Sequence, residues 1–239
     1  MTKPLYDRSW FDLGKGPLAL VHTVGNLRSV FGPLAEELLP NATVKHIVDE
    51  SLLQDAIAQG ELTSEIEARL AGHVAALSRS GAAAIMVTCS SMGRAVDRIS
   101  AKMDLPVLRV DAAMVDEALR IGKRIGVLAT LRTTMAPTVE LVRQRSNGDA
   151  SIKIEAHVSE GAFEALKAAD VVRHDELVRA GLRRIEPLVD IVILAQASMA
   201  RVLASPSGTT SRVPILSSPR LAMEALAQSA RFMSRLPFR

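Results

Sequence analysis

IMVTCSSMGRA, residues Ile85–Ala95, lines up with VILAQASMARV, residues Val192–Val202, and this internal match decides the fold class. Both stretches open with an apolar run and pass through small polar residues to a methionine. The two methionines are Met92 and Met199, so the copies lie 107 positions apart. Self-similarity at a fixed separation is the sequence signature of a repeated structural unit.

Three further segment pairs repeat at this separation or one position beyond it. They are Thr23 with Thr130, Asp116–Leu119 with Met223–Leu226, and Pro106–Leu108 with Pro214–Leu216. Four segments in register predict a duplicated chain. We expect a first half at residues 1–110, completed by a C-terminal helix at 217–239, and a second half at 111–216.

Short apolar runs rich in Val, Ile and Leu alternate with longer amphipathic stretches along both halves. The runs are Pro17–Val24, Ala82–Thr88, Ile125–Thr130 and Val189–Ala195. Unbroken runs of this kind are typical of parallel strands buried on both faces. The predicted fold class is α/β, with two pseudo-symmetric Rossmann-like halves that have parallel sheets, and with an active site in the cleft between them.

The composition argues against several classes of function. The 239 residues are 48% apolar, 23% charged and 3% aromatic, with a net charge of +3 that is scattered along the chain. Such a pattern does not favour nucleic-acid binding. No apolar run approaches the roughly 20 residues of a membrane span, and the first residues lack a signal-peptide pattern. We expect a cytoplasmic protein without a nucleic-acid or membrane partner, and leave open whether it forms a homo-oligomer.

The cysteine and histidine content argues against a metal site. Cys89 is the single cysteine, and the five histidines are widely separated. These residues provide neither a disulfide nor a cluster with zinc-ligand spacing. We therefore expect no structural metal.

Small and hydroxylic residues follow the predicted strands in both halves. In parallel α/β sheets, ligands bind outside the carboxyl ends of the strands. Hydroxyls and backbone N–H groups there suit a carboxylate or an oxyanion. The candidate residues are Thr23, Asn26, Cys89, Ser90 and Ser91 in the first half, and Thr130, Arg132, Thr133, Gln196, Ala197 and Ser198 in the second.

Cys89 is the candidate for catalysis. A thiol beside N–H groups at a helix start ionises more readily, so it can act as a base or a nucleophile. A lone cysteine is otherwise a small buried hydrophobic residue. Arg132 is either a carboxylate clamp or an exposed loop residue, and Thr133 is a ligand or a helix cap. Asp97 is expected to be an ordinary charge on a helix surface.

At VTCSSMG and LAQASM the sequence resembles the aspartate/glutamate racemase superfamily, which includes hydantoin racemases, maleate isomerases and arylmalonate decarboxylases. PVLRVDAAMVDEAL and IGVLATLRTT extend the resemblance over nearly the whole chain. The resemblance implies a fold of two α/β halves and catalysis without a cofactor. It also implies two cysteines, one from each half, that flank the carbon next to a substrate carboxylate. Cys89 matches the first cysteine, and Gln196 stands in place of the second.

An amide cannot exchange a proton near neutral pH, although it can hydrogen-bond a carboxylate or an enediolate. The leading hypothesis is therefore a cofactor-independent isomerase- or racemase-type enzyme that acts on a small carboxylic acid. Cys89 would be its general base or nucleophile, and Gln196 would orient the substrate. The alternatives are a lyase of the arylmalonate decarboxylase type, with Cys89 as proton donor, and a non-catalytic protein that binds small carboxylates.

Overall fold

The structure is a computed structural model that describes residues 13, 15–204 and 211–233. By backbone contacts the described residues form two compact units. The first half contains those up to Ala112 and those from Pro219 onward, and the second half contains Ala113–Ser218. The ranges predicted for the halves also include residues outside the described ones.

The first half is an α/β unit whose sheet has four parallel strands. Its elements are β1 (Leu18–His22), α1 (Leu27–Leu38), β2 (Val44–Val48), α2 (Ser51–Gln59), α3 (Ser64–Arg79), β3 (Ala84–Val87), α4 (Gly93–Ser100) and β4 (Val107–Arg109). The strand order is β2-β1-β3-β4, and every neighbouring pair is parallel. The apolar runs that predicted β1 and β3 contain the two central strands of the sheet, and every residue of these two strands is buried.

The second half repeats this arrangement. After α5 (Ala112–Ile121), its elements are β5 (Arg124–Ala129), α6 (Arg132–Arg145), β6 (Lys153–Val158), α7 (Ala162–Lys167), α8 (Val171–Ile185), β7 (Ile191–Leu194), α9 (Arg201–Ala204) and β8 (Ile215–Ser217). The order β6-β5-β7-β8 is that of the first half, again with parallel pairs only. Two parallel sheets of the same order confirm the predicted α/β class of two similar halves with parallel sheets.

The helices cover the sheets with apolar faces spaced by one helical turn. Helix α3 buries Ile66, Leu70, Val74 and Leu77, and helix α10 (Ser218–Met233) buries Ala222, Met223 and Leu226. Side chains four positions apart share one face of a helix, which explains why these positions are apolar. Among the described residues, no helix is long and apolar enough to cross a lipid bilayer.

The strand order gives each half a topological switch point. In both sheets the chain continues from the first central strand to one edge of the sheet, and from the second central strand to the opposite edge. Ligands of parallel α/β sheets bind at such switch points, outside the carboxyl ends of the strands. The switch points lie at the ends of β1 and β3 in the first half, and of β5 and β7 in the second.

Candidate active site

The same local geometry follows the second central strand of each half. Cys89 follows β3 by two residues and Gln196 follows β7 by two residues, and both have extended backbones. Each then enters a 3₁₀ turn, closed by a backbone bond from Met92 N–H to the Cys89 carbonyl or from Met199 N–H to the Gln196 carbonyl. The repeat found in the sequence therefore continues into the backbone at the candidate site.

The Cys89 thiol is buried, with 9% of the residue exposed. Burial raises the pKa of the thiol, because a thiolate loses solvation there. Donors near the sulfur, namely the hydroxyls of Thr23 and Ser91 and the N–H groups of Met92 and Ser91, oppose this rise without cancelling it. The expectation that neighbouring N–H groups make this thiol ionise more readily is thus wrong for the protein without substrate. The N–H groups are present, but burial outweighs them.

The second half places Gln196 against Thr130. The Thr130 backbone N–H donates to the Gln196 amide oxygen at 2.6 Å, and the Gln196 amide nitrogen donates to the Thr130 hydroxyl at 2.7 Å. A backbone N–H can only donate, so this pair of bonds fixes the orientation of the amide. The Thr130 hydroxyl receives a bond and keeps its own proton, which it can donate to an anion.

Three other predicted residues, Thr23, Ser90 and Thr133, carry buried hydroxyls that have no hydrogen-bond partner among the described residues. Ser90 lies in the 3₁₀ turn after Cys89, and Thr133 lies in the first turn of α6, after Thr130. A buried hydroxyl without a partner costs free energy, which a ligand oxygen would recover by bonding to it. These three hydroxyls therefore suit a ligand that has hydrogen-bonding oxygens.

The remaining predicted residues differ in their exposure. Asn26 is exposed before α1, and its carbonyl accepts a bond from the Ser29 hydroxyl at 2.6 Å. Arg132 is also exposed and pairs with Glu160 at 2.6 Å. Ala197 is buried and Ser198 is half-buried in the 3₁₀ turn after Gln196. Within its own half, the structure thus brings Cys89 together with Thr23 and Ser91, and Gln196 together with Thr130.

The histidines that form a chain beside Cys89 were not connected in the sequence analysis. His22 is fully buried, and its Nδ1 lies 2.8 Å from the hydroxyl of Thr88, the residue before Cys89. The Thr88 hydroxyl donates to the Val21 carbonyl at 3.2 Å, so its oxygen accepts the proton of His22 Nδ1. His22 Nε2 then accepts a bond from His46 Nδ1 at 2.9 Å. Burial, followed by the charges of His46 and Arg28, lowers the pKa of His22 to about 4.

An ion-pair network at the end of β4 was also missed. Arg109 is buried and binds Asp111 through two hydrogen bonds and Asp97 through one. Asp97 lies on the surface of α4 as expected, but it is not merely a solvated charge. The spacing of Arg109 and Asp111 could have indicated this ion pair, because residues two apart on an extended strand point to the same side.

The described residues do not bring three or more His, Cys, Asp or Glu side chains together as a group that could hold a metal ion. What the strand ends offer instead, each within its own half, is a buried thiol in the first half, an amide in the second and hydroxyls in both. These groups can donate hydrogen bonds to oxygen anions and, through the thiol, move one proton.

Comparisons with known proteins agree with this fold. A family model described as Asp/Glu/Hydantoin racemase matches residues 27–226. A glutamate racemase isoform from Bacillus anthracis superposes with a TM-score of 0.71 at 16% identity, over 91% of this chain and 82% of that one. An allantoin racemase from Klebsiella pneumoniae gives 0.61 at 13% identity, over 92% and 89%. No curated protein sequence matches the chain.

Proposed function

This chain belongs to the Asp/Glu/hydantoin racemase family, and we propose that it is a cofactor-independent isomerase- or racemase-type enzyme that acts next to the carboxylate of a small organic or amino acid. The observation that carries this proposal is the chemical asymmetry of its two switch points. One presents the Cys89 thiol and the matching position of the other presents the Gln196 amide. Only the thiol can transfer a proton near neutral pH.

Cys89 is the proposed base. Its sulfur would take the proton from the carbon next to the carboxylate, and the electron pair of that C–H bond would move into the carboxylate to form an enediolate. Burial raises the pKa of the thiol, so a smaller fraction is ionised, but the thiolate that forms is a stronger base. The Ser91 and Met92 N–H groups would stabilise that thiolate, because both favour the ionised form of the thiol.

The hydroxyl groups at the strand ends are the proposed carboxylate ligands. Ser90 has a buried hydroxyl without a partner, and Thr130 has a hydroxyl proton left to donate. Together with Ser91, these groups would hold the carboxylate and favour the charge that develops on its oxygens, as an oxyanion hole does. Gln196 would orient the substrate or stabilise the enediolate through the N–H that Thr130 does not use. Thr23, Asn26, Arg132, Thr133, Ala197 and Ser198 complete the proposed binding set.

A lyase is the second candidate, and the state of the thiol favours it. A group with a raised pKa rests protonated near neutral pH, which is the form that delivers a proton to a carbanion. After loss of carbon dioxide, one donor is enough to protonate one face of the product. In the first candidate, by contrast, the proton for the opposite face would come from water, because Gln196 cannot supply it.

Incubation with a panel of small mono- and dicarboxylic acids in D₂O tests both candidates. An isomerase conserves the mass of the substrate skeleton and introduces deuterium next to the carboxylate, whereas a lyase releases carbon dioxide and labels its product. Cys89→Ala should lose turnover in either case, and Arg120→Gln, on the exposed face of α5, is the matched control. Turnover that survives in Cys89→Ala would contradict both enzymes, and tight binding without any turnover would indicate the non-catalytic protein.

A further inference from the structure

The guanidinium of Arg109 is held in one orientation at the end of β4. Only 6% of Arg109 is exposed, and Asp111 is fully buried. Arg109 Nε lies 2.9 Å from Asp111 Oδ1 and Nη2 lies 3.0 Å from Oδ2, which is a two-point pairing. A third bond joins Nη1 to Asp97 Oδ2, on α4, at 2.6 Å. A planar fork bound at three points cannot rotate freely.

Gly93, the first residue of α4, lies directly against this guanidinium. Its φ of −52° and ψ of −46° are ordinary helical values, so the backbone there does not require a glycine. A Cβ at this position would lie 2.3 Å from Arg109 Nη2 and 2.5 Å from Cζ. Glycine is therefore needed because it lets the guanidinium approach the start of the helix.

The helix start that Arg109 contacts is also the end of the turn that surrounds the thiol. Residues Ser90–Met92 connect Cys89 to Gly93, and the turn is closed by the bond from Met92 N–H to the Cys89 carbonyl. The Ser91 and Met92 N–H groups and the Ser91 hydroxyl are the donors in this turn that lower the pKa of the thiol. The turn is held at one end by β3 and at the other by Arg109. A shift of Gly93 would move these donors away from the sulfur.

The second half, which has no thiol at this point, differs at the matching positions. Val87 pairs with Arg109 in the first sheet, and the equivalent Leu194 pairs with Ser217 in the second. Ala200 stands 107 positions after Gly93. The arginine and the glycine that it needs thus occur in the half that carries the cysteine.

We propose that Arg109, oriented by Asp111, is a positioning residue that acts through Gly93 to keep the Ser90–Met92 turn aligned on the Cys89 sulfur. Stability alone does not explain the network, because a buried ion pair is often no more stabilising than apolar residues of similar size. The inference rests on the proposed role of Cys89 as the reacting group. Arg109 itself is not assigned any contact with the substrate.

The test is the pH profile of Cys89 alkylation by iodoacetamide in the full chain, which needs no substrate. It yields both the apparent pKa of the thiol and the limiting rate of its thiolate. In Arg109→Lys and in Gly93→Ala we expect the apparent pKa to rise by about half to one pH unit, because the thiolate loses aligned donors while it stays buried. Asp111→Asn is a third variant, in case either of these fails to fold. Val178→Ala, in the core of the second half, is the control for a general loss of stability and should keep the wild-type profile.

Two results would overturn the proposal. One is a profile that is unchanged in both Arg109→Lys and Gly93→Ala. The other is an apparent pKa that falls toward that of a free thiol, which would mean that the turn has simply opened. Either result leaves the Cys89→Ala turnover experiment unaffected. Conversely, turnover that survives in Cys89→Ala refutes the proposed function without changing the alkylation profiles.

Discussion

Gln196 binds Thr130 at two points, through the backbone N–H and through the hydroxyl of the threonine. In the first half, the matching Thr23 hydroxyl is near enough to the Cys89 sulfur to lower the pKa of the thiol, but it has no hydrogen-bond partner among the described residues. The threonine is thus the same in both halves, while its neighbour is a titratable thiol in one and a neutral amide in the other. Replacement of the Gln196 amide should show which role it has. It either only holds Thr130 in place, or also leaves the proton of the Thr130 hydroxyl available to an anion.

Gln196→Glu and Gln196→Ala should separate these two roles. A glutamate can accept the Thr130 N–H bond, but it also draws the proton of the hydroxyl and adds a negative charge. We expect this variant to keep most of its stability and to lose carboxylate affinity at least about tenfold, or about 1.4 kcal/mol. Gln196→Ala leaves the buried N–H of Thr130 without a partner, which costs about 1–3 kcal/mol of unfolding free energy.

Calorimetric titration with a carboxylate that binds the wild-type protein would measure the affinity. Urea unfolding would measure the unfolding free energy. Gln144→Ala, on the exposed part of α6, is the control and should change neither quantity. Equal carboxylate affinity in wild type and Gln196→Glu would contradict the assignment of Thr130 as a donor to the substrate.

Gly72→Ala and Gly181→Ala should have opposite effects on stability, although both glycines lie in helices. In an exposed helix interior, a Gly→Ala substitution stabilises a protein by roughly 0.5–1 kcal/mol. At Gly72 in α3, a Cβ would have no described atom within 4 Å apart from its neighbours in the helix. At Gly181 in α8, a Cβ would lie 2.4 Å from Ser159 Oγ and 2.8 Å from Leu128 Cδ1. We expect Gly181→Ala to destabilise by about 1–3 kcal/mol, because overpacking outweighs the gain in helix propensity. Thermal unfolding of both variants checks this, and stabilisation by Gly181→Ala would refute the close packing of α8 on β5.

The repeat in the sequence was enough to predict the two sheets, because buried parallel strands need apolar residues on both faces and leave a continuous signal in LALVH and AIMV. The contacts that shape the site leave no such signal. His22 meets Thr88 across 66 positions of sequence, and Gly93 meets Arg109 only because α4 packs beside β4. The direction of the Cys89 pKa shift was mispredicted for a similar reason. The N–H groups follow from the local turn, whereas the opposing burial depends on packing by residues far away in the chain.

The wild-type thiol should alkylate slowly at neutral pH. Burial raises the pKa of Cys89 above its ordinary value, so the reactive thiolate is scarce and the rate should keep rising beyond pH 9. Iodoacetamide kinetics from pH 6 to pH 10, with free cysteine as the reference, would measure this. A carboxylate that occupies the site should slow the reaction further. A midpoint below about 8.5 would show instead that the N–H groups outweigh burial.

His22 should make the protein less stable in mild acid. Its pKa is lowered from 6.5 to about 4 in the folded protein, chiefly by burial, so the folded state resists a proton that the unfolded chain accepts below pH 6.5. The stability that neutral His22 provides is therefore complete above pH 6.5 and is lost as the pH falls toward 4. At about 1.4 kcal/mol per pH unit, the loss amounts to about 3 kcal/mol. Protonation would also remove the lone pair on Nε2 that accepts the bond from His46.

Urea unfolding between pH 7.5 and pH 4.5 would measure this loss, with His22→Gln as the test variant and His157→Gln as the control. The half-buried His157 also has a lowered pKa, through burial and then Arg184, but it lies outside the chain of bonds that joins His22 to Thr88. We expect His22→Gln to be less stable than wild type at pH 7.5 and to show a much flatter dependence on pH, since it has no proton to take up there. The His157→Gln curve should flatten much less, because the pKa of His157 is lowered less than that of His22. If the His22→Gln and wild-type curves ran parallel, burial of His22 could not be the cause of the acid sensitivity, and the neutral bridge between β1 and the residue before Cys89 would be refuted.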